Sequence, residues 1–130
     1  MNELFSADAW NKIWTFRQVF LQGLGNTALT AFVGLLLALV IGIISGLFAT
    51  GNSRILRAVS RVYVELIQNT PLLLQMCFLY YSLAFAGMSL GIIRAGIIAL
   101  GIYHGAYVSE VIRAGIQAIP KGQFEAADAQ

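Results

Sequence analysis

The amino-acid sequence predicts an all-α integral membrane protein, and three observations carry that expectation. Of 130 residues, 58% are hydrophobic and only 11% are charged, with a mean hydropathy of +0.76. A soluble domain carries about 25% charged residues, and a disordered chain needs low hydropathy. No charged side chain occurs between Arg17 and Arg54, or between Glu65 and Arg94. A helix of about 22 residues crosses the roughly 30 Å hydrocarbon layer, and Ala28 to Ala49 alone supplies that length. The same composition excludes other classes. One cysteine rules out an internal disulfide framework, no Cys/His cluster has metal-ligand spacing, and a net charge of +2 without a basic stripe gives no nucleic-acid footprint.

Residues 1–22 form the first element, an N-terminal segment outside the membrane. They lack the basic start, short apolar stretch and cleavage site of a secretory signal. Trp10, Ile13, Trp14, Phe16 and Phe20 read as a short helix lying in the interface, where Trp is enriched. A plain lead-in to the first span is the other reading. That span covers about 26–49. Asn26, Thr30, Gly34, Ala38, Gly42 and Gly46 recur every fourth residue, the small-xxx-small pattern of closely packed membrane helices. Gly101, Gly105 and Ser109 repeat it further on.

Residues 50–63 are expected to be a loop. Its Arg54, Arg57 and Arg61, with no acid until Glu65, place it in the cytoplasm by the positive-inside rule, whereas Gly87–Gly91 is uncharged. The N-terminus is then outside, and the tail with Arg113 and Lys121 is inside.

The second span covers about 64–86. Pro71 has no N–H and disfavours helix before it, so the helix breaks near Asn69–Pro71. Within a membrane such a break needs protein or water to satisfy the freed carbonyls. Gln68, Gln75 and Ser82 recur every seven residues, one turn beyond Glu65. Their polar groups suit hydrogen bonds to polar solutes or to neighbouring helices, and spacing does not choose between these. Cys77 reads as a buried small hydrophobe.

The third span, about 90–113, contains Arg94, which can snorkel to the headgroups. His104 and Glu110 must face protein or water, and for His104 a hydrogen bond inside the bundle is expected. Tyr103, Tyr107 and Glu110 share one stripe. Glu110, ionisable within a span, is a functional candidate; an ion pair with Arg113, three residues on, is the rival role. Pro120 and Gly122 end this helix, and Gln123–Gln130 restarts as a helix-prone segment. There Glu125, Ala126 and Ala127 make a flat, small surface, which composition alone reads as an ordinary cytoplasmic helix and which could also lie in a groove on a soluble partner.

These pieces together resemble a known family. Gly115-Ile116-Gln117-Ala118-Ile119-Pro120-Lys121-Gly122-Gln123-Phe124-Glu125-Ala126-Ala127 is similar to the start of the EAA loop of bacterial ABC importer permeases. Tyr63-Val64-Glu65-Leu66-Ile67-Gln68-Asn69-Thr70-Pro71-Leu72, with Ala106-Tyr107, Glu110 and Arg113-Ala114-Gly115, resembles the polar amino acid (histidine/glutamine) subfamily. The resemblance covers Gly23 to Gln130. It implies a permease of five spans acting as a dimer, with the same or a sister chain, beside a cytoplasmic ATPase dimer and an extracytoplasmic amino acid-binding protein. The EAA loop, here beginning in 114–130, would dock Gly122, Glu125, Ala126 and Ala127 in a cleft of the ATPase.

On that resemblance the chain moves polar amino acids across the plasma membrane by alternating access, with Gln68, Asn69, Thr70, Gln75 and Glu110 on the solute path. No cofactor is expected on this chain, and ATP and Mg are expected on the partner ATPase. Consistent with that, the sequence has no Gly-x-x-x-x-Gly-Lys-Ser/Thr loop and no nucleophile–base pair, so it is not read as an enzyme. Two departures stand out. Gln68 occupies a position where many members carry Arg, and the chain stops at Gln130, where the loop's next glycine is expected, so it reads as about the first three-fifths of a permease. The alternative is a non-transporting assembly or regulatory fragment that packs through the Gly34–Gly46 face. A channel or secondary carrier would need a charged or carbonyl-lined midplane, which the first two spans lack.

Overall fold

A computed structural model describes residues 7–120 and 122. The described residues form five helices: α1 (Ala7–Thr15), α2 (Arg17–Thr50), α3 (Arg54–Gln68), α4 (Leu72–Phe85) and α5 (Ile92–Gln117), with no strand among them. The first boundary differs from the one the sequence predicts. The break falls at Phe16, not near residue 22, and α2 then runs unbroken for 34 residues, about 51 Å. Arg17 explains the position of the break. Its Nη1 donates to the Trp14 carbonyl at 3.2 Å and its guanidinium lies over the Trp14 ring, closing α1 one residue before α2 begins.

The α2–α5 seam is the core of the molecule. Gly34, Ala38, Gly42, Ser45 and Gly46 are the buried residues of α2, and Ala95, Gly96, Ala99, Gly101, Gly105, Ala106 and Ser109 those of α5. Gly34 faces Leu100, Gly42 faces Val108 and Gly46 faces Ile112, at one constant offset. The two helices therefore run parallel. From the other side, Gly101 receives Leu37 and Gly105 receives Ile41. Small residues every fourth position keep a flat face on each helix, and that lets two backbones approach closely.

Parallel neighbours require the intervening chain to travel back along the bundle, and it does so in two pieces. The expected loop at 50–63 is helical from Arg54 onward, and only Gly51, Asn52 and Ser53 lie outside helix. Ser53 caps α3 by accepting from the Leu56 N–H at 3.5 Å, while Arg57 Nη1 donates to the Gly51 carbonyl at 3.3 Å and closes the end of α2. The arginines thus belong to a helix that packs, where the sequence reading has a loop. Nor is 64–86 one helix. Pro71 divides it, and α4 has 14 residues, about 21 Å, less than the hydrocarbon thickness. Among the described helices, only α2 and α5 are long and apolar enough to cross a membrane individually.

Two contacts fasten α3 to the seam. Ser109 Oγ donates to Ser45 Oγ at 3.0 Å, Ser45 and Ser60 share a 2.8 Å hydroxyl contact, and Ser60 Oγ donates to the Ser45 carbonyl at 2.8 Å. All three serines are buried. The Tyr63 hydroxyl donates to the Ile102 carbonyl at 2.6 Å. In contrast, α4 has no buried residue and, among the described residues, packs on α5 alone. Cys77 is consequently exposed, against the burial expected of it. The turn from α4 to α5 passes through Gly87 and Gly91 at φ +82° and +69°, a region that favours glycine.

Candidate functional site

Helix α3 is inside-out. Ile55, Val59, Val62 and Leu66, spaced four, three and four, form one exposed apolar stripe. The opposite face carries Arg57, Ser60, Arg61, Val64, Glu65 and Gln68. In water this arrangement would be inverted; it suits a helix with a wet or protein-lined side and an apolar exterior. The polar face opens onto a crevice of about 460 Å³ shared with the last turns of α5.

From α3 the crevice is lined by Arg57, Arg61, Glu65, Gln68 and Asn69, and from α5 by Glu110, Arg113 and Gln117. Glu110 and Arg113 form a two-pronged ion pair, Nη2 to Oε2 at 2.6 Å and Nε to Oε1 at 3.1 Å, and Arg113 Nη1 also donates to Gln117 Oε1 at 3.2 Å. Both carboxylate oxygens of Glu110 are therefore engaged within its own helix. Three guanidinium groups and two carboxylates with an adjacent amide can hold both ends of a small zwitterion. Among the described residues, no group of three or more His, Cys, Asp or Glu side chains is placed to hold a metal ion.

The five residues expected on a solute path separate into two sets. Gln68, Asn69 and Glu110 line the crevice. Thr70 and Gln75 do not, because the broken helix end uses their polar groups. Pro71 cannot donate to Ile67, its partner four residues back; the Ile67 carbonyl accepts from the Thr70 N–H at 3.3 Å and from Gln75 Nε2 at 3.0 Å, and Gln75 Nε2 also reaches the Thr70 carbonyl at 2.9 Å. Thr70 Oγ1 donates to the Leu66 carbonyl at 2.8 Å and Asn69 Nδ2 to the Glu65 carbonyl at 2.6 Å. The carbonyls of Glu65, Leu66, Ile67 and Thr70 are thus each met by a side chain. Asn69 lines the crevice, but its amide nitrogen is turned to the backbone.

Other expectations change with the geometry. His104 is exposed and makes no hydrogen bond among the described residues; its ring lies 5.4 Å from that of Tyr103, edge to face, at the rim of an apolar groove between α2 and α5. Tyr103 and Tyr107 pair on the same side, with hydroxyls 3.1 Å apart. Gly122 is exposed with nothing close to it among the described residues, whereas Glu125, Ala126 and Ala127 lie outside them. Sequence reasoning missed the serine chain and Tyr63. Ser60 and Val64, four apart on the polar face of α3, were the available signal.

A parallel helix pair with a small-residue seam, joined by a helix whose polar side turns inward, defines a membrane-embedded bundle with an internal polar cleft. Residues 38–130 match the family described as binding-protein-dependent transport system inner membrane component, and the chain belongs to that family. It is 36% identical over 110 residues to a Rickettsia prowazekii (strain Madrid E) protein named for a glutamine transport system permease, covering 84% of this chain and 50% of the relative. A Bacillus subtilis (strain 168) protein named for a glutamine ABC transporter permease is 38% identical over 109 residues, with 84% and 50% covered. Among solved structures, an amino acid ABC transporter crystallised with histidines shares the fold with a TM-score of 0.79 and 34% identity, over 91% of this chain and 55% of that one. The chain thus spans about half the length of the curated relatives it matches. As a member of this family it is a multi-pass inner-membrane transport component, and the family's members work with a binding protein.

Proposed function

We propose that this chain is part of the permease subunit of an ATP-driven importer that moves polar amino acids across the bacterial plasma membrane by alternating access. The observation that carries the reading is the charged crevice inside an otherwise apolar bundle, in a fold that matches an amino acid ABC transporter. Arg57, Arg61, Glu65, Gln68, Glu110 and Arg113 meet around one opening, and an ionisable residue within a span, as Glu110 is, marks a pathway by default. Gln68, Asn69 and Glu110 are the residues we assign to the solute path. Thr70 and Gln75 shape it from behind, through the backbone.

The arginines of α3 set the proposed orientation, with the start of α3 and the segment after α5 on the cytoplasmic side and the N-terminus outside. The exposed Trp10 and Trp14 of α1 suit the outer interface. A second permease subunit, an extracytoplasmic amino acid-binding protein and a cytoplasmic ATPase dimer complete the assembly, and ATP and Mg bind the ATPase. Gly122, Glu125, Ala126 and Ala127 form the coupling surface to that ATPase.

The test uses the full-length permease reconstituted with its ATPase and binding protein. ATP-dependent uptake of a labelled polar amino acid is expected, and Glu125→Lys is expected to abolish it while leaving membrane insertion intact. Normal uptake by that variant would reject the coupling role. An assembly that binds the ATPase, yet neither takes up amino acids nor hydrolyses ATP in response to loaded binding protein, would reject the transport reading in favour of a packing-only membrane component.

A further inference from the structure

We propose that the Asn69–Pro71 break is a hinge on which α4 turns against a fixed body of α2, α3 and α5, and that Gln75 is the positioning residue that sets its resting angle. The fixed body is defined by contacts that span it. Ser60 joins α3 to Ser45 of α2 and, through it, to Ser109 of α5, and Tyr63 reaches the Ile102 carbonyl. Every polar group in this set is buried or half-buried and partnered, so moving α3 would strand several of them together.

Among the described residues no such fastening holds α4: it has no buried residue, packs on α5 alone, and rests there partly on the end of the flexible Met76 side chain, whose Cε lies beside Gly96. Its link to α3 is also weak by construction. The proline removes the backbone bond that would run from residue 71 to Ile67. The Thr70 N–H reaches the Ile67 carbonyl at 3.3 Å, and the contact that α4 itself returns is one amide nitrogen, Gln75 Nε2, placed between the carbonyls of Ile67 and Thr70 at 3.0 and 2.9 Å. Hydrogen bonds weaken steeply beyond such distances and with misalignment. A rotation of α4 by little more than an ångström at Gln75 releases both at once. The latch is thus all-or-none, and it sits directly behind Gln68 and Asn69, which line the crevice. Gln75 itself does not touch the crevice; it acts on it through the Ile67 and Thr70 carbonyls.

The transport consequence rests on the importer reading above, but the hinge does not, and the experiment separates them. Spin labels are placed on the native, exposed Cys77 of α4 and on Ile55→Cys at the exposed start of α3. The host is the full transporter, otherwise free of cysteine and diluted with unlabelled permease. Their distance is read with no nucleotide and after trapping with ATP and vanadate. The wild-type distance is expected to be a single narrow population that shifts on trapping. Gln75→Met, which keeps length but has no N–H, is expected to broaden the nucleotide-free population. It should also lower Vmax for uptake about fivefold or more, with KM unchanged within about twofold, as expected for loss of two hydrogen bonds away from the solute. Gln75→Glu should behave like Gln75→Met.

A wild-type distance that is the same in both states overturns the hinge, and this arm decides even if Gln75→Met fails to assemble. A Gln75→Met distance like wild type, with KM raised about tenfold, overturns the positioning role and makes Gln75 a solute ligand. Broadened distances with normal uptake overturn its role in transport. If the wild-type assembly takes up no amino acid yet its distance still shifts, the importer reading fails while the hinge stands.

Discussion

At Gly42 in the α2–α5 seam even an alanine side chain is too large, whereas at the α3–α4 joint a long side chain, Gln75, is put to use. A Cβ added to Gly42 would overlap Val108 and stand 2.9 Å from the Gly105 carbonyl oxygen. Gln75 stands eight positions after Ile67, whose carbonyl its amide caps across the break. Both regions answer the same demand, that backbone polar groups in an apolar surrounding be satisfied internally. The seam leaves each helix's own hydrogen bonds intact and gains from close backbone packing. The joint gives up one of those bonds at Pro71 and repairs it with side chains. Packing of the first kind is rigid because any displacement opens a gap along the whole face. Repair of the second kind can be undone at a single atom.

Breaking the seam should have the largest effect. Gly42→Leu drives a branched side chain into Val108 and the α5 backbone, where overpacking costs about 1–3 kcal/mol or more. Folded, detergent-extractable protein should fall about tenfold, with Gly34→Ala, whose added Cβ would meet Leu100 at 3.1 Å, much milder. Equal loss from the two variants would mean the close approach at Gly42 is not what holds α2 to α5.

The joint can be probed by restoring what the proline removes. Pro71→Ala returns an N–H aimed at the Ile67 carbonyl, so Gln75→Met should be less damaging in that background. The coupling should be about 1 kcal/mol in a double-mutant cycle on thermal or denaturant stability. Additive effects would show that Gln75 does not substitute for the missing bond. The serine chain contributes on the same scale. Ser60→Ala should cost about 0.6 to 1.7 kcal/mol, the range for side-chain hydrogen bonds between membrane helices. It should lose most of that cost when Ser45 is already alanine; an undiminished cost would place the stabilisation elsewhere. The Glu110–Arg113 pair lies within one helix and is about two-fifths exposed on each side. Glu110→Gln is therefore expected to change stability by about 1 kcal/mol or less, while altering uptake. A larger loss of stability would favour the helix-end role over the solute path.

What the sequence made legible follows from which forces act locally. The stripe from Gly34 to Gly46 marks a packing face by spacing alone, and the missing N–H of Pro71 marks a break. Neither requires knowledge of a partner. Helix α3 was hidden because Arg54, Arg57 and Arg61 read as a wet loop, although Ile55, Val59, Val62 and Leu66 already carried a helical period. The target of Gln75 was not legible at all. Its amide can serve a solute, a helix or a carbonyl, and only the angle between α3 and α4 selects the last. Cys77 and His104 fail for a related reason: an apolar or mid-span position predicts burial only when another element covers it, and α4 and the outer face of α5 have no such cover among the described residues. Of the crevice, Gln68 and Glu110 stood out as polar groups within apolar runs, but their proximity depends on α3 lying across the end of α5.

The most direct measurement concerns that proximity and its use. In the full transporter, with Cys77→Ser removing the exposed native thiol, a cysteine at Gln68 is treated with a membrane-impermeant thiol reagent, with and without a transported amino acid and its loaded binding protein. Labelling should slow about tenfold or more when the amino acid occupies the crevice, since a bound ligand shields the thiol in proportion to occupancy. Equal rates under both conditions would contradict the assignment of the α3–α5 crevice to the solute path.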